Sequence, residues 1–89
     1  MFRIAWTESA ISSLTEGWAL ADSRLRSDIT AAAHEIDRRL ALAPDRVGES
    51  REAGTRVLII PPLAVTFHVN VRMNSVLISG VVVHRRSGK

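Results

Sequence analysis

From Arg56 onward the hydrophobic pattern of this chain repeats every two residues, whereas from Thr7 to Leu40 it repeats at helical spacing. A sequence divided in this way, helices first and strands afterwards, folds as an α+β domain with helices packed on one face of a sheet. In the helical part, Ala10, Ile11, Leu14, Trp18 and Ala21 form one apolar stripe. Leu25, Ile29, Ala32, Ala33, Ile36 and Leu40 form a second, opposite Arg24, Arg26, Asp28, Glu35 and Arg38. Thr7 can cap the first helix, with Glu8 in its first turn, and Asp22 or Ser23 can cap the second. The expected product is a helical hairpin ended by Pro44, with a polar loop at Glu49 to Gly54.

Strands are expected at Arg56 to Ile60, Leu63 to Val71 and Ser75 to His84, broken by Pro61-Pro62 and by a turn near Met73-Asn74. They form a three-stranded antiparallel meander. In its middle strand Leu63, Val65, Phe67, Val69 and Val71 share one face, and Ala64, Thr66, His68 and Asn70 share the other. The last strand is apolar on both sides for most of its length, as a central strand would be. Phe2, Ile4 and Trp6 alternate with Arg3 and Ala5, which adds a short strand before the helices. Trp6 and Trp18 fall on the apolar sides of their segments, so both are assigned to the core rather than to base stacking.

Eighty-nine residues allow one domain, 1–89, with a core small enough that a partner completing it would be unsurprising. There is no cysteine, which removes disulfides and thiolate metal sites and fits a reducing, cytoplasmic location. No segment has the length and apolarity of a membrane span, and the first residues lack the pattern of a secretory signal. The three histidines have no metal-ligand spacing, and no glycine-rich phosphate loop or serine nucleophile motif occurs, so neither metal nor cofactor is expected. Charge is divided along the chain. All nine acidic residues lie between Glu8 and Glu52, and beyond them the formal charges are Arg56, Arg72, Arg85, Arg86 and Lys89. Arginine suits bidentate contact with phosphate, so this cationic half points to an anionic partner.

The order strand, helix, helix, strand, strand, strand resembles the RelE/ParE superfamily of bacterial toxins, the plasmid-stabilisation type. The words that carry the resemblance are Pro44 and Gly48 after the second helix, then Arg56, Leu58, Pro62, Leu63, Val65, Phe67 and Val69 in the hairpin, and a last strand ending His84-Arg85-Arg86. The resemblance implies the toxin of a type II toxin–antitoxin system, with a cognate antitoxin protein as partner. It also implies a target, either DNA gyrase, as for ParE, or messenger RNA on the ribosome, as for RelE-type mRNA interferases. The chain departs from the family pattern in two respects: it has no tyrosine, and Ala64 stands where RNA-cleaving members commonly carry an arginine.

Cleavage of RNA through its own 2′-hydroxyl needs a base, a cation for the phosphorane and an acid for the leaving oxygen. His84 and His68 are the candidate base and acid, since histidine titrates nearest neutrality, and Arg56 and Arg85 are the candidate phosphate holders. Arg56, Arg85 and Arg86 are also the candidate target-binding residues. For Arg56 there is an equally weighted structural alternative, pairing with an acidic residue on the helices or in the Glu49 to Glu52 loop. Three functions remain open at this level: a metal-independent ribosome-dependent nuclease, a gyrase inhibitor that performs no chemistry, and a non-toxic homologue that keeps only the partner-binding fold.

Overall fold

The computed structural model of the chain describes residues 1–84. It contains β1 (Arg3–Trp6), α1 (Glu8–Ala19), α2 (Ser23–Leu42), β2 (Glu49–Ser50), a 3₁₀ turn (Glu52–Gly54), β3 (Thr55–Ile60), β4 (Leu63–Asn70) and β5 (Ser75–Val83). The helices start where side-chain caps are available. Thr7 Oγ1 accepts from the Ala10 amide at 3.1 Å, and Asp22 Oδ1 accepts from the Leu25 amide at 2.8 Å. Between them, Arg26 lies over the Trp18 ring, 4.2 Å from its centroid, and donates to the Trp18 and Ala19 carbonyls. One arginine thus satisfies orphan carbonyls at the end of α1. Along α2, Glu35 accepts from Arg38 and Arg39, and these two guanidiniums, Arg38 foremost, hold its carboxyl down to about 2.

The sheet has five strands in the order β1-β5-β4-β3-β2. The expected meander β3-β4-β5 is its centre, and two additions widen it. β1 joins β5 in parallel, Arg3 aligning with Ser75 and Trp6 with Ile78. Glu49 and Ser50, expected in a polar loop, instead pair antiparallel with Val57 and Arg56. Gly48 makes that approach possible: it has φ of 74°, and a Cβ there would meet the Val57 carbonyl oxygen at 2.3 Å.

Both helices cover one face. Ile29, Ala32, Ile36 and Leu40 of α2 pack with Leu58, Leu63, Val65, Phe67, Val76, Ile78 and Val81 in one core. Each Val, Leu, Ile or Phe side chain among them contributes about 1.5–3 kcal/mol relative to exposure, so the stability of the fold resides on this face. A bulge in β5 sets which residues reach it. Thr66 aligns with Gly80 but Phe67 aligns with Ile78, leaving Ser79 without a partner position. The inward residues consequently change from Val76 and Ile78 to Val81 and Val83.

Further sequence expectations need correction. Ile11, assigned to the first apolar stripe, is 50% exposed, and Val71, assigned to the inner face of the middle strand, lies beyond β4 and is 67% exposed. Trp18 is 42% exposed, because α1 presents Ala10, Leu14 and Gly17 to the sheet; Gly17 lies so close to β5 that an added Cβ would stand 2.5 Å from Val83 Cγ2. Trp6 does pack against the core, donating Nε1–H to Asp37 at 3.2 Å. The second apolar side of β5 is not buried either: Leu77 is 44% and Val82 63% exposed. Among the described residues, no helix is long and apolar enough to cross a membrane.

Candidate functional site

The face of the sheet turned away from the helices carries the alternate residues of each strand, and the register arranges them in rows. One row runs Ile59, Ala64, Val82; the next runs Val57, Thr66, Gly80; the next runs Thr55, His68, Leu77, Ala5; and the last runs Asn70, Ser75, Arg3. The first row is apolar and open, with Ile59 64% and Val82 63% exposed. It borders a concavity of about 1240 Å³ at the β3–β4 end of the sheet, which is also lined by Leu20, Asp22, Asp28, Pro61 and His84.

His84 follows β5 directly. Its backbone N–H donates to the Pro62 carbonyl at 2.7 Å, which fixes it beside the β3–β4 hairpin, and its side chain is exposed at the concavity. His68 is exposed on the same outer face but near the opposite end. Pro62, which holds His84, and His68 are six residues apart along β4, roughly 20 Å at ~3.3 Å per residue. The two histidines therefore cannot act as base and acid on one phosphate.

Arg56 lies on the other face. It aligns with the buried Phe67, and its guanidinium donates to the Val47 carbonyl at 3.1 Å and to the Gly48 carbonyl at 3.3 Å. The acidic partner of its structural reading is not what it meets: its partners are the backbone carbonyls of Val47 and Gly48. Arg85 and Arg86 lie outside the described residues. The predicted set is thus distributed: His84 at the upper end of the open face, His68 toward the lower end, Arg56 behind the sheet. Among the described residues no group of three or more His, Asp or Glu side chains is placed to hold a metal ion.

Two features escaped sequence reasoning. One is the apolar row Ile59, Ala64, Val82, which requires the cross-strand register to be seen. The other is the polar lower end of the face, where Arg3 stands beside Ser75 and Asn70. A cue for the second was present in the absence of any acidic residue after Glu52, but its location depends on β1 lying next to β5.

No protein-family model and no curated protein matches the chain. Solved structures do. The RelBE2 toxin–antitoxin complex of Mycobacterium tuberculosis matches with a TM-score of 0.74 at 22% identity, covering 97% of this chain and 93% of that one. The chromosomal ParDE system of P. aeruginosa matches with a TM-score of 0.71 at 19% identity, covering 96% and 98%. The isolated E. coli RelE toxin matches with a TM-score of 0.59 at 13% identity, covering 98% and 88%. Over nearly its full length, this chain has the fold of the RelE and ParE toxins.

Proposed function

We propose that this protein is the toxin component of a type II toxin–antitoxin pair, held inactive by a cognate antitoxin protein that folds onto it. The observation that carries this reading is the similarity of fold to toxins of both branches over nearly the whole chain. Between the two targets we favour DNA gyrase, inhibited by binding without chemistry. Three features support that choice. Arg56 is engaged behind the sheet, the two candidate histidines stand at separate places on the open face, and the site of the expected middle-strand arginine is Ala64, set between Ile59 and Val82. An exposed apolar row rimmed by polar groups is suited to holding a protein target, and much less to stabilising a phosphorane. In this reading His84 lies on a polar rim that also carries Asp22 and Asp28.

The test is supercoiling by purified gyrase. The wild-type protein inhibits, and Val82→Asp raises the concentration needed by about tenfold or more, since a carboxylate buried unpaired costs more than ~1.4 kcal/mol. Codon-phased messenger RNA ends in a cell-free translation reaction, lost in Arg85→Ala, would replace gyrase by the ribosome. Neither effect would leave a homologue that only binds its partner.

A further inference from the structure

The edge of the sheet beyond β3 is built differently from its centre. β2 covers only the Val57 and Arg56 positions, and among the described residues β3 has no further strand partner on that side, so Leu58, Ile59 and Ile60 end the sheet. From Gly48 to Glu52, and again at Gly54, the residues are exposed, whereas Val47 before them packs against the core and Leu58 after them is buried. Glycines in the left-handed region bracket this segment, Gly48 with φ of 74° and Gly54 with φ of 75°. A Cβ on Gly54 would meet no atom within 4 Å, so the second turn is free of packing as well.

The contacts that hold the segment against β3 are polar. Glu49 aligns with Val57 and Ser50 with Arg56, the Arg51 amide donates to the Thr55 carbonyl at 2.6 Å, and the Arg56 guanidinium donates to the Val47 and Gly48 carbonyls at 3.1 and 3.3 Å. The ion pair of Arg51 with Glu49, at 2.8 Å, lies within the segment and does not tie it to the sheet. A stretch with exposed hydrogen bonds and little buried apolar surface opens at a much lower free energy than a core element. β3, in contrast, reads TRVLII, a strongly β-forming run with Arg56 as its one charge. Such an edge invites pairing with other chains, and the segment lays Glu49, Arg51 and Glu52 beside it, the charged cover that natural sheets use against edge-to-edge association.

We propose that residues 49–54 form a flap, hinged at Gly48 and Gly54 and clasped by Arg56, that opens while the core stays folded and so uncovers the Thr55–Ile60 edge of β3 to strand addition. This inference does not depend on the toxin reading.

The test is amide hydrogen exchange, followed by NMR across urea concentrations below the unfolding transition. The Arg51 amide is expected to be protected, but to exchange about 100-fold or more faster than the amides of Ile36 and Leu40 in the core. Its rate should barely respond to urea, because a local opening exposes little surface, while the core amides speed up with global unfolding. Arg56→Ala is expected to speed the Arg51 amide about tenfold without making it urea-sensitive. Glu49→Cys/Val57→Cys supplies the converse: the two positions are register partners, at a Cα separation that a disulfide spans, and the natural chain has no cysteine to compete. Oxidation should slow the Arg51 amide about tenfold or more and reduction should restore it. In purified protein the chain available to add to β3 is a second copy, so light scattering at high concentration should rise with Arg56→Ala and fall with the disulfide. An Arg51 amide that follows urea as Leu40 does, or that has no protection, would overturn the proposal. So would exchange or scattering indifferent to the two variants.

Discussion

Arg56 illustrates how one step of strand parity changes the role of a side chain. In sequence it is a basic residue at the head of a hairpin, equally suited to phosphate and to structure. In the fold it aligns with Phe67, faces the helices and fastens the Val47 and Gly48 carbonyls to β3. Charge-assisted bonds of this kind contribute roughly 1.5–3 kcal/mol when sheltered, and Arg56 is half-buried, so the lower part of that range applies. Arg56→Ala should therefore lower the urea midpoint by the equivalent of about 1–2 kcal/mol while leaving the inhibitory concentration of the folded protein unchanged. A fall in potency with unchanged stability would return Arg56 to the working surface. His68 and His84 show the complementary case: both reach the open face as strand residues can, but only the alignment of β4 with β5 reveals how far apart they lie.

Among the elements, the helices and the three main strands were legible because their signals are local. Thr7 and Asp22 are capping residues that cap, the α2 stripe is buried where its spacing predicts, and Leu63, Val65 and Phe67 alternate into the core. What could not be read was relational. Which strand β1 would join, whether Glu49 and Ser50 would extend the sheet, and where the β5 bulge would fall are set by contacts between segments far apart in sequence. A strand apolar on both sides gives no local cue to its parity, so the bulge at Ser79 could not be inferred from VLISGVVV. The misassignment of Trp18 has a similar origin. Gly17, invisible to a hydrophobic pattern, is the residue α1 places against Val83, and the stripe is rotated accordingly. Alanine at an exposed helix position would gain about 0.5–1 kcal/mol over glycine. Here the contact with Val83 Cγ2 and Cβ outweighs that gain, and Gly17→Ala is expected to destabilise by about 1–3 kcal/mol, measured from urea melts. A more stable Gly17→Ala protein would mean that α1 does not pack this tightly on β5.

For the molecule as a whole, polarity is divided between its two faces. The helix-covered face holds the core. The open face is apolar beside the β3–β4 hairpin, and beside the β4–β5 hairpin it carries Arg3 and Arg72 together with the exposed Val71, Met73 and Leu77. A chain of 89 residues that leaves Ile59, Val82 and Leu77 exposed has surface for a partner to cover. A cognate antitoxin present at about 100 times its dissociation constant would add ~2.7 kcal/mol to the apparent stability, a rise in melting temperature on the order of 10 °C for a domain of this size. Differential scanning fluorimetry with and without a candidate antitoxin, co-expressed from an adjacent gene, reads that shift directly. Co-purification without a shift would mean a contact that does not engage the folded domain.

The central claim, that this fold serves as a toxin, is tested most directly by inducing the protein alone in a bacterial culture and following growth. Wild-type protein should arrest division within a few generations while a soluble Val82→Asp variant, expressed to the same level, permits growth. Unimpeded growth with abundant, soluble and folded wild-type protein would contradict the account.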